Sequence, residues 1–362
     1  MCRRSGGGRK TRLLSGKLDG ILSVLGCLGP AASSSRPGRK LIRTDLWLLP
    51  SQLYHINPQH LPLPHLFNSA NMPKDAAPEV MPELDVATLF GVKGKVALVT
   101  GGATGLGKMI SAAFIRNGAK VYIASRKFDD IKRVAEQLSA LSPKGAVNGP
   151  ACIGLQADVG SKAGCEALAQ QIKDKEQNLD ILVNNAGITW GAPLDDFPEE
   201  KGWDKIFHLN VKSQFYLTVA LLPLLEKGKS NTKHASVINI ASVAAISPMA
   251  TTPLAPPGSG TWSYQPSKAA SVHLTRTLAN SLSERFVLVN AILPGVFPSR
   301  MTAYGLEQGK DLFDAGQPTG RIGSPEDIGS AALYFASRAG AHTTGVALVL
   351  DGGQTLQWSP RM

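Results

Sequence analysis

Lys95-Val-Ala-Leu-Val-Thr100-Gly101-Gly-Ala-Thr104-Gly105-Leu106-Gly107 decides the fold of this chain. Lys95–Thr100 is a short apolar run with β-branched residues, the composition of a buried strand. It passes directly into a glycine turn. An apolar-periodic helix follows from Leu106 to about Asn117, with Gly118 placed as its stop. Strand, glycine turn and helix N-terminus make a phosphate cradle. Glycines let the backbone turn tightly and approach a pyrophosphate, and the helix dipole favours the anion. The spacing Thr-Gly-x-x-x-Gly-x-Gly is one residue wider than the standard dinucleotide fingerprint. Thr100, Gly101, Thr104, Gly105, Leu106 and Gly107 are therefore candidate cofactor residues.

The next strand, Lys120–Ser125, ends where an adenosine ribose is met in such units. An acid there would bind the 2′-hydroxyl of NAD. This chain offers Ser125, Arg126 and Lys127 instead. A guanidinium suits a bidentate grip on a 2′-phosphate, so the expected cofactor is NADP(H). Asp129 and Asp130 read as the first turn of a helix reaching Leu141. A third strand ends at Leu155-Gln-Ala-Asp158-Val159, where Asp158 either accepts from an adenine amino group or caps the next turn. Ser161 opens a helix to about Glu176. A fourth strand, Asp180–Asn184, runs into Asn185-Ala186-Gly187. Its amides can tie neighbouring strands, and its small residues leave room for a flat ring.

A long helix over roughly Glu199–Leu225 holds Asn210, which by itself reads as an exposed or backbone-bonded amide. Strand Ser236–Ile240 leads to Ser242, whose hydroxyl sits at a strand's carboxyl end. Ser247–Thr261 is Pro/Gly-rich and long for a loop in a compact domain. Strand Val287–Leu293 ends in Pro294-Gly295, and Val296–Pro318 reads as an irregular substrate lid. Ser324-Pro-Glu-Asp327 is a capped helix start, and Val346–Leu350 is a seventh strand. Alternating strands and helices of these lengths predict an α/β fold: a Rossmann-type, doubly wound, parallel seven-stranded sheet with ligands at the strands' carboxyl ends.

The chemistry falls on Tyr264-Gln-Pro-Ser-Lys268. Residues four apart stack on one helix face, where an ammonium can hold down a phenol whose ordinary pKa is about 10. Such a phenol exchanges a proton with a carbonyl or alcohol oxygen near neutral pH.

The net charge of +11 looks like a nucleic-acid signal until it is located. Residues 1–71 carry ten Lys/Arg against two acids, so only +3 belongs to residues 72–362. That near balance argues against nucleic acid. The front segment is rich in Gly, Ser, Arg and Pro, and reads as a disordered basic extension. A mitochondrial presequence, a secretory leader and a mis-extended gene model starting naturally at Met72 stay open as rivals. The apolar run Ile21–Leu28 is too short to span a bilayer, and no membrane segment is expected elsewhere. Four cysteines without metal-ligand spacing suggest free thiols in a reducing compartment and no metal. The organisation expected is 1–71 extension, 72–93 lead-in, 94–356 catalytic domain and 357–362 tail, in a cytoplasmic protein, or a mitochondrial one if the extension targets it there.

Taken together and in order, Thr100–Gly107, Asp158, Asn184-Asn185-Ala186-Gly187, Asn210, Ser242, Tyr264-x-x-x-Lys268 and Pro294-Gly295 resemble the short-chain dehydrogenase/reductase family. Pro294–Thr302 further resembles a subgroup that includes the 3-oxoacyl carrier-protein reductase of rhamnolipid synthesis. The resemblance implies that Tyr264 is the general acid and that Lys268 lowers its pKa and holds the nicotinamide ribose. Ser242 would donate to the substrate oxygen, and Asn210 would position a water for proton resupply. Pro294, Gly295, Val296 and Thr302 would border the nicotinamide. It implies reduction of a ketone, with a 3-oxoacyl thioester as one candidate, by a homodimer or homotetramer. A reductase of a polyketide-like metabolite is the sibling reading. A non-catalytic NADP(H) sensor is the reading from another class, and the intact set of four polar positions disfavours it. Two features depart from the family: the long Ser242–Tyr264 loop and residues 1–71.

Overall fold

The computed structural model describes residues 83–357. They belong to a compact unit, Pro78–Met362. The expectations placed on residues 1–71 lie outside the described residues.

The elements follow the sequence closely. A short helix α1 (Val86–Phe90), capped by Asp85 onto Ala87 N and Thr88 N, occupies the lead-in. Then come β1 (Val96–Thr100), α2 (Gly105–Arg116), β2 (Lys120–Ser125), α3 (Phe128–Ser139), β3 (Cys152–Gln156), α4 (Lys162–Lys173) and β4 (Ile181–Asn184). Gly118 ends α2 at φ +82°, a conformation that costs glycine little. Ser161 caps α4 by accepting from Gly164 N. The helical run from Glu199 to Leu225 is not a uniform α-helix. It is π-wound over Glu199–Asp204 and His208–Lys212, and α-helical as α5 (Lys205–Phe207) and α6 (Ser213–Leu225). β5 (Ala235–Ile240), α7 (Tyr264–Leu282), β6 (Val287–Pro294), α8 (Ala303–Ala315), α9 (Pro325–Ala336) and β7 (Ala347–Leu350) complete the chain. α9 starts with the expected capping box between Ser324 and Asp327.

All seven strands are parallel, in the order β3-β2-β1-β4-β5-β6-β7. The order reverses between β1 and β4, so the crevice at the strands' carboxyl ends opens there. Side-chain alternation divides the core. Ala97, Val99, Ile123 and Ile238 pack under α2, α3 and α9. Leu98, Tyr122, Leu182 and Val237 pack under α4, α6 and α7. Both faces are covered, which is why the strands read as nearly continuous apolar runs.

One expectation is corrected here. The segment Val296–Pro318 is not irregular throughout, because it contains α8. Of its 13 residues only Gly305 is buried, so no apolar stripe marks it as a helix in the sequence. Cys152 and Cys165 are free and buried, and burial pushes their thiols up to about 12 and about 11. Neither is a reactive thiolate near neutral pH. No helix among the described residues is long and apolar enough to cross a membrane.

The amino ends of the strands carry a cationic group of side chains around His234, which is 4 % exposed. Burial pushes its imidazole down to about 4, and Lys95, Arg338 and Lys229 add to the effect. An unfolded chain takes up that proton at about 6.5. Between these values the unfolded state binds more protons, so this contribution is complete above the unfolded value and is lost as pH falls through the window. It amounts to at most about 3 kcal/mol. Urea unfolding from pH 7 to 4 should therefore show a flatter loss of stability for His234→Gln than for the parent protein. Equal slopes would remove His234 from the account.

Candidate active site

A crevice of about 610 Å³ lies at the carboxyl ends of the central strands. Thr100, at the end of β1, shapes its floor. The Thr100 hydroxyl accepts from Asn185 N and Ala186 N, both at 3.0 Å. In return the Asn185 amide donates to the carbonyls of Thr100 (2.9 Å) and Gly101 (3.2 Å). The glycine turn is thus clamped to the segment after β4. Its glycines serve different ends. Gly101 adopts φ +64° and Gly105 φ +51°. A Cβ on Gly107 would come within 2.4 Å of both the Asn185 amide and the Gly101 carbonyl oxygen. Gly107 therefore protects the clamp and does not itself line the crevice.

Most of the expected cofactor residues converge on this space. Thr100, Gly101, Thr104, Gly105, Leu106, Ser125, Arg126, Lys127, Asp158, Val159, Asn185, Ala186, Gly187, Tyr264 and Lys268 all border it. Arg126 and Lys127 are exposed at the end of β2. Asp158 caps the following turn by accepting from Gly160 N, so both roles weighed for it are compatible. The sequence reading missed Asp130, Ser299, Arg300 and Met301, which also border the space. Asp130 had been assigned to a helix start, and the other three lie just before α8, in the segment read only as a lid.

The fit to a dinucleotide is good on the chain's own evidence. A Cβ on Gly187 would lie 3.2 Å from Asn210 Oδ1 and 3.6 Å from Lys268 Nζ. Glycine therefore keeps open the space in front of the lysine. At the other end, Arg126 and Lys127 face a space that Asp130 and Asp158 also border; Asp130 lies 3.9 Å from Arg133 and Asp158 accepts from Gly160 N.

The polar side chains lie around the base of α7. Lys268 is 4 % exposed and donates to the Ile240 carbonyl at 2.9 Å. Burial pushes its ammonium down to about 8. Its Nζ is 5.5 Å from the centre of the Tyr264 ring. Tyr264 is half-buried, and desolvation pushes its phenol up while the Ser242 hydroxyl beside it pulls the other way. The expectation that the lysine ammonium holds the phenol down is therefore corrected: desolvation is the larger effect, and the group that opposes it is Ser242. Ser242 also accepts from Ala244 N at 3.1 Å, which seats it at the end of β5.

Of the two readings of Asn210, exposed or backbone-bonded, the structure shows the second. The residue is fully buried, inside the second π-wound turn. Its oxygen accepts from Ile188 N, and its amide donates to the Ile188 carbonyl and the Ser267 hydroxyl. A π turn shifts side-chain phase relative to a regular helix and is often found at functional sites. That shift is invisible to a 3.6-residue count.

Pro294, Gly295, Val296 and Thr302 do not border the crevice. Gly295 N is bonded to the Leu350 carbonyl, and a Cβ there would meet Asp351 at 2.8 Å. Val296 is buried. Thr302 turns inward, donating to the Phe297 carbonyl at 2.6 Å and accepting from Ser299 N.

The long loop after Ser242 is an ordered feature. Thr261 bonds back to the Ala250 carbonyl, Gln265 reaches the Met249 carbonyl, and Ala192 pairs with Gly260. Its tip docks on α8, where a Cβ on Gly305 would meet Leu254 at 2.8 Å. Beside this contact is a second cavity of about 260 Å³, lined by Pro253, Leu312, Phe313 and Gln354 among others.

Comparison with known proteins agrees with this geometry. The short chain dehydrogenase family model matches residues 95–309. The chain is 41 % identical over 266 residues to the rhamnolipids biosynthesis 3-oxoacyl-[acyl-carrier-protein] reductase of Pseudomonas aeruginosa, covering 73 % of this chain and 97 % of that one. It is 34 % identical over 296 residues to the short-chain dehydrogenase/reductase PhomF of Diaporthe leptostromiformis, covering 76 % and 96 %. The solved Pseudomonas aeruginosa RhlG/NADP active-site complex superimposes with a TM-score of 0.67 at 41 % identity, covering 74 % of this chain and 98 % of that one.

Proposed function

This chain belongs to the short chain dehydrogenase family, and from that premise we propose that it is an NADP(H)-dependent reductase of a 3-oxoacyl thioester, with Tyr264 as the general acid. Family membership makes it an oxidoreductase acting at a ketone or alcohol carbon. The observation that carries the finer reading is the meeting of Tyr264 and Lys268 at one crevice, with the Ser242 hydroxyl hydrogen-bonded to the phenol, and with Arg126 and Lys127 at the crevice's far end.

Bound there, the cofactor supplies a hydride. The chain's own residues do the rest. Gly101, Gly105 and the N-terminus of α2 receive the pyrophosphate, and Arg126 with Lys127 holds the 2′-phosphate. Lys268, fixed on the Ile240 carbonyl, keeps its remaining N–H donors for the nicotinamide ribose. Ser242 orients the substrate oxygen and stabilises the charge that grows on it. Tyr264 gives that oxygen its proton. The phenol is protonated near neutral pH at its ordinary pKa of about 10, and desolvation only adds to that.

Two observations support an acyl substrate. One is the similarity to the rhamnolipid reductase. The other is the apolar cavity between the loop tip and α8, which could take an aliphatic tail. We also read the chain as a homo-oligomer, because α6 presents Phe215 and Val219, 40 % and 42 % exposed, one turn apart.

The first test is NADPH oxidation, followed by absorbance, with a panel of ketones that includes a 3-oxoacyl thioester and with NADH in parallel. Preferred turnover of the thioester with NADPH is expected. Tyr264→Phe should lose nearly all turnover while still binding NADPH, and Arg126→Ala should weaken NADPH by about tenfold or more with little effect on NADH. Undiminished turnover in the first variant, or equal loss for both cofactors in the second, overturns the respective assignment. A monomeric mass at micromolar concentration would contradict the oligomer.

A further inference from the structure

We propose that Asn239 and Thr275 form a positioning clamp that sets the placement of α7 on the sheet and thereby holds Lys268 at the cofactor. The inference rests on the role given to Lys268 above.

The inner side of α7 has two different characters. Its second half buries Leu278, Ala279 and Leu282 against the apolar core. Its first half presents Lys268, Ser271 and Thr275, all buried and on one stripe by helical spacing. Apolar contact is non-directional and permits a helix to slide or turn. Hydrogen bonds have fixed geometry. The half of α7 that carries the chemistry is thus seated by directional contacts.

Asn239 is the centre of that seat. It is 0 % exposed, in a strand whose residues are all buried. Its neighbours in β5 alternate, so Asn239 shares the face of Val237, toward α6 and α7. Its oxygen accepts from the Asn184 amide of β4 at 2.9 Å. Its amide donates to the Thr275 hydroxyl at 2.9 Å, and that hydroxyl donates to the Ser271 carbonyl. The next residue of the strand, Ile240, supplies the carbonyl that Lys268 grips. Two consecutive residues of β5 therefore hold two points of α7 that lie two turns apart. Ser267, accepting from Asn210, and Ser271, donating to Gln214, tie α7 to the helical run before it. Lys268 and Thr275 are its two side-chain bonds to β5, and the Asn239–Thr275 bond adds to the Lys268 bond a second fixed point on the sheet. A buried amide left unpaired is costly, so this register is favoured over its neighbours.

Thr218 is the internal control. It accepts from the same Asn184 amide at 3.3 Å but lies on α6, one link farther from Lys268. It belongs to the network without touching α7.

The experiment measures NADPH affinity by fluorescence from pH 6 to 10, together with thermal unfolding, for the parent protein and three variants. Thr275→Val keeps the shape and removes the hydroxyl. It should weaken NADPH by about tenfold and move the alkaline limb of the binding profile. Thr275→Ser keeps the hydroxyl and should stay within about twofold of the parent with an unmoved limb. Thr218→Val should lower the unfolding temperature and leave the profile in place. An unchanged profile in Thr275→Val, or equal damage from Thr275→Ser, would make the site a packing element only and overturn the inference. If Thr275→Val does not fold, a Thr275→Ser profile shifted from the parent's would overturn it by itself. Failure of the parent protein to bind NADPH refutes the cofactor reading and takes this inference with it. A parent that binds while Thr275→Val matches it refutes the clamp alone.

Discussion

Everything at the crevice depends on one hydroxyl, that of Thr100. It sits where the strand order reverses and two parallel strands part. Parting strands leave backbone N–H groups without ladder partners, and a buried unpaired donor costs about 1–3 kcal/mol. The Thr100 hydroxyl takes two of these donors, from Asn185 and Ala186, and passes its own proton toward the Val183 carbonyl. The Asn185 amide returns the favour to the Thr100 and Gly101 carbonyls. The sheet can therefore open without leaving unsatisfied backbone, and the opening forms the crevice. The glycines around it are needed for the same reason. A side chain at Gly107 would occupy the position of the Asn185 amide.

Farther along the crevice, desolvation sets the chemistry. Lys268 and Tyr264 are both pushed toward their neutral forms by burial. For the phenol this favours the protonated state, which it already holds near neutral pH. For the ammonium it is a cost, met in part by the Ile240 carbonyl. Ser242 is drawn toward the phenol.

The motifs that could be read in the sequence share a property. Each is a local pattern with a local cause: the glycine turn, the helix stop at Gly118, the cap at Ser161, the capping box at Ser324 and the Tyr264–Lys268 spacing. Where the cause was not local, the reading was incomplete. α8 has no buried stripe because it packs through a glycine against a loop from elsewhere in the chain. Asn210 read as either an exposed or a backbone-bonded amide, and a regular helical count could not choose between them. The π turn that buries it is stabilised by Ile188 and Ser267, which are distant in sequence. Thr302 is the exception: it carried a family expectation, and its hydroxyl is engaged by a local turn with Ser299 and Phe297.

The sequence by itself determined the parallel seven-stranded architecture, and its glycine turn and Tyr264–Lys268 spacing named side chains that the structure brings to one crevice. These follow from periodicity, glycine placement and spacing, which act over a few residues. Only the tertiary structure decided how those side chains are held. The clamp at Thr100, the buried seat of α7 on Asn239, the inward turn of Asn210 and the docking of the long loop on α8 all join residues that are distant in the chain. Their geometry comes from which strands lie side by side and which helix faces meet them. Hydrogen bonds of fixed length and direction then select one arrangement among the many that the apolar pattern alone would allow.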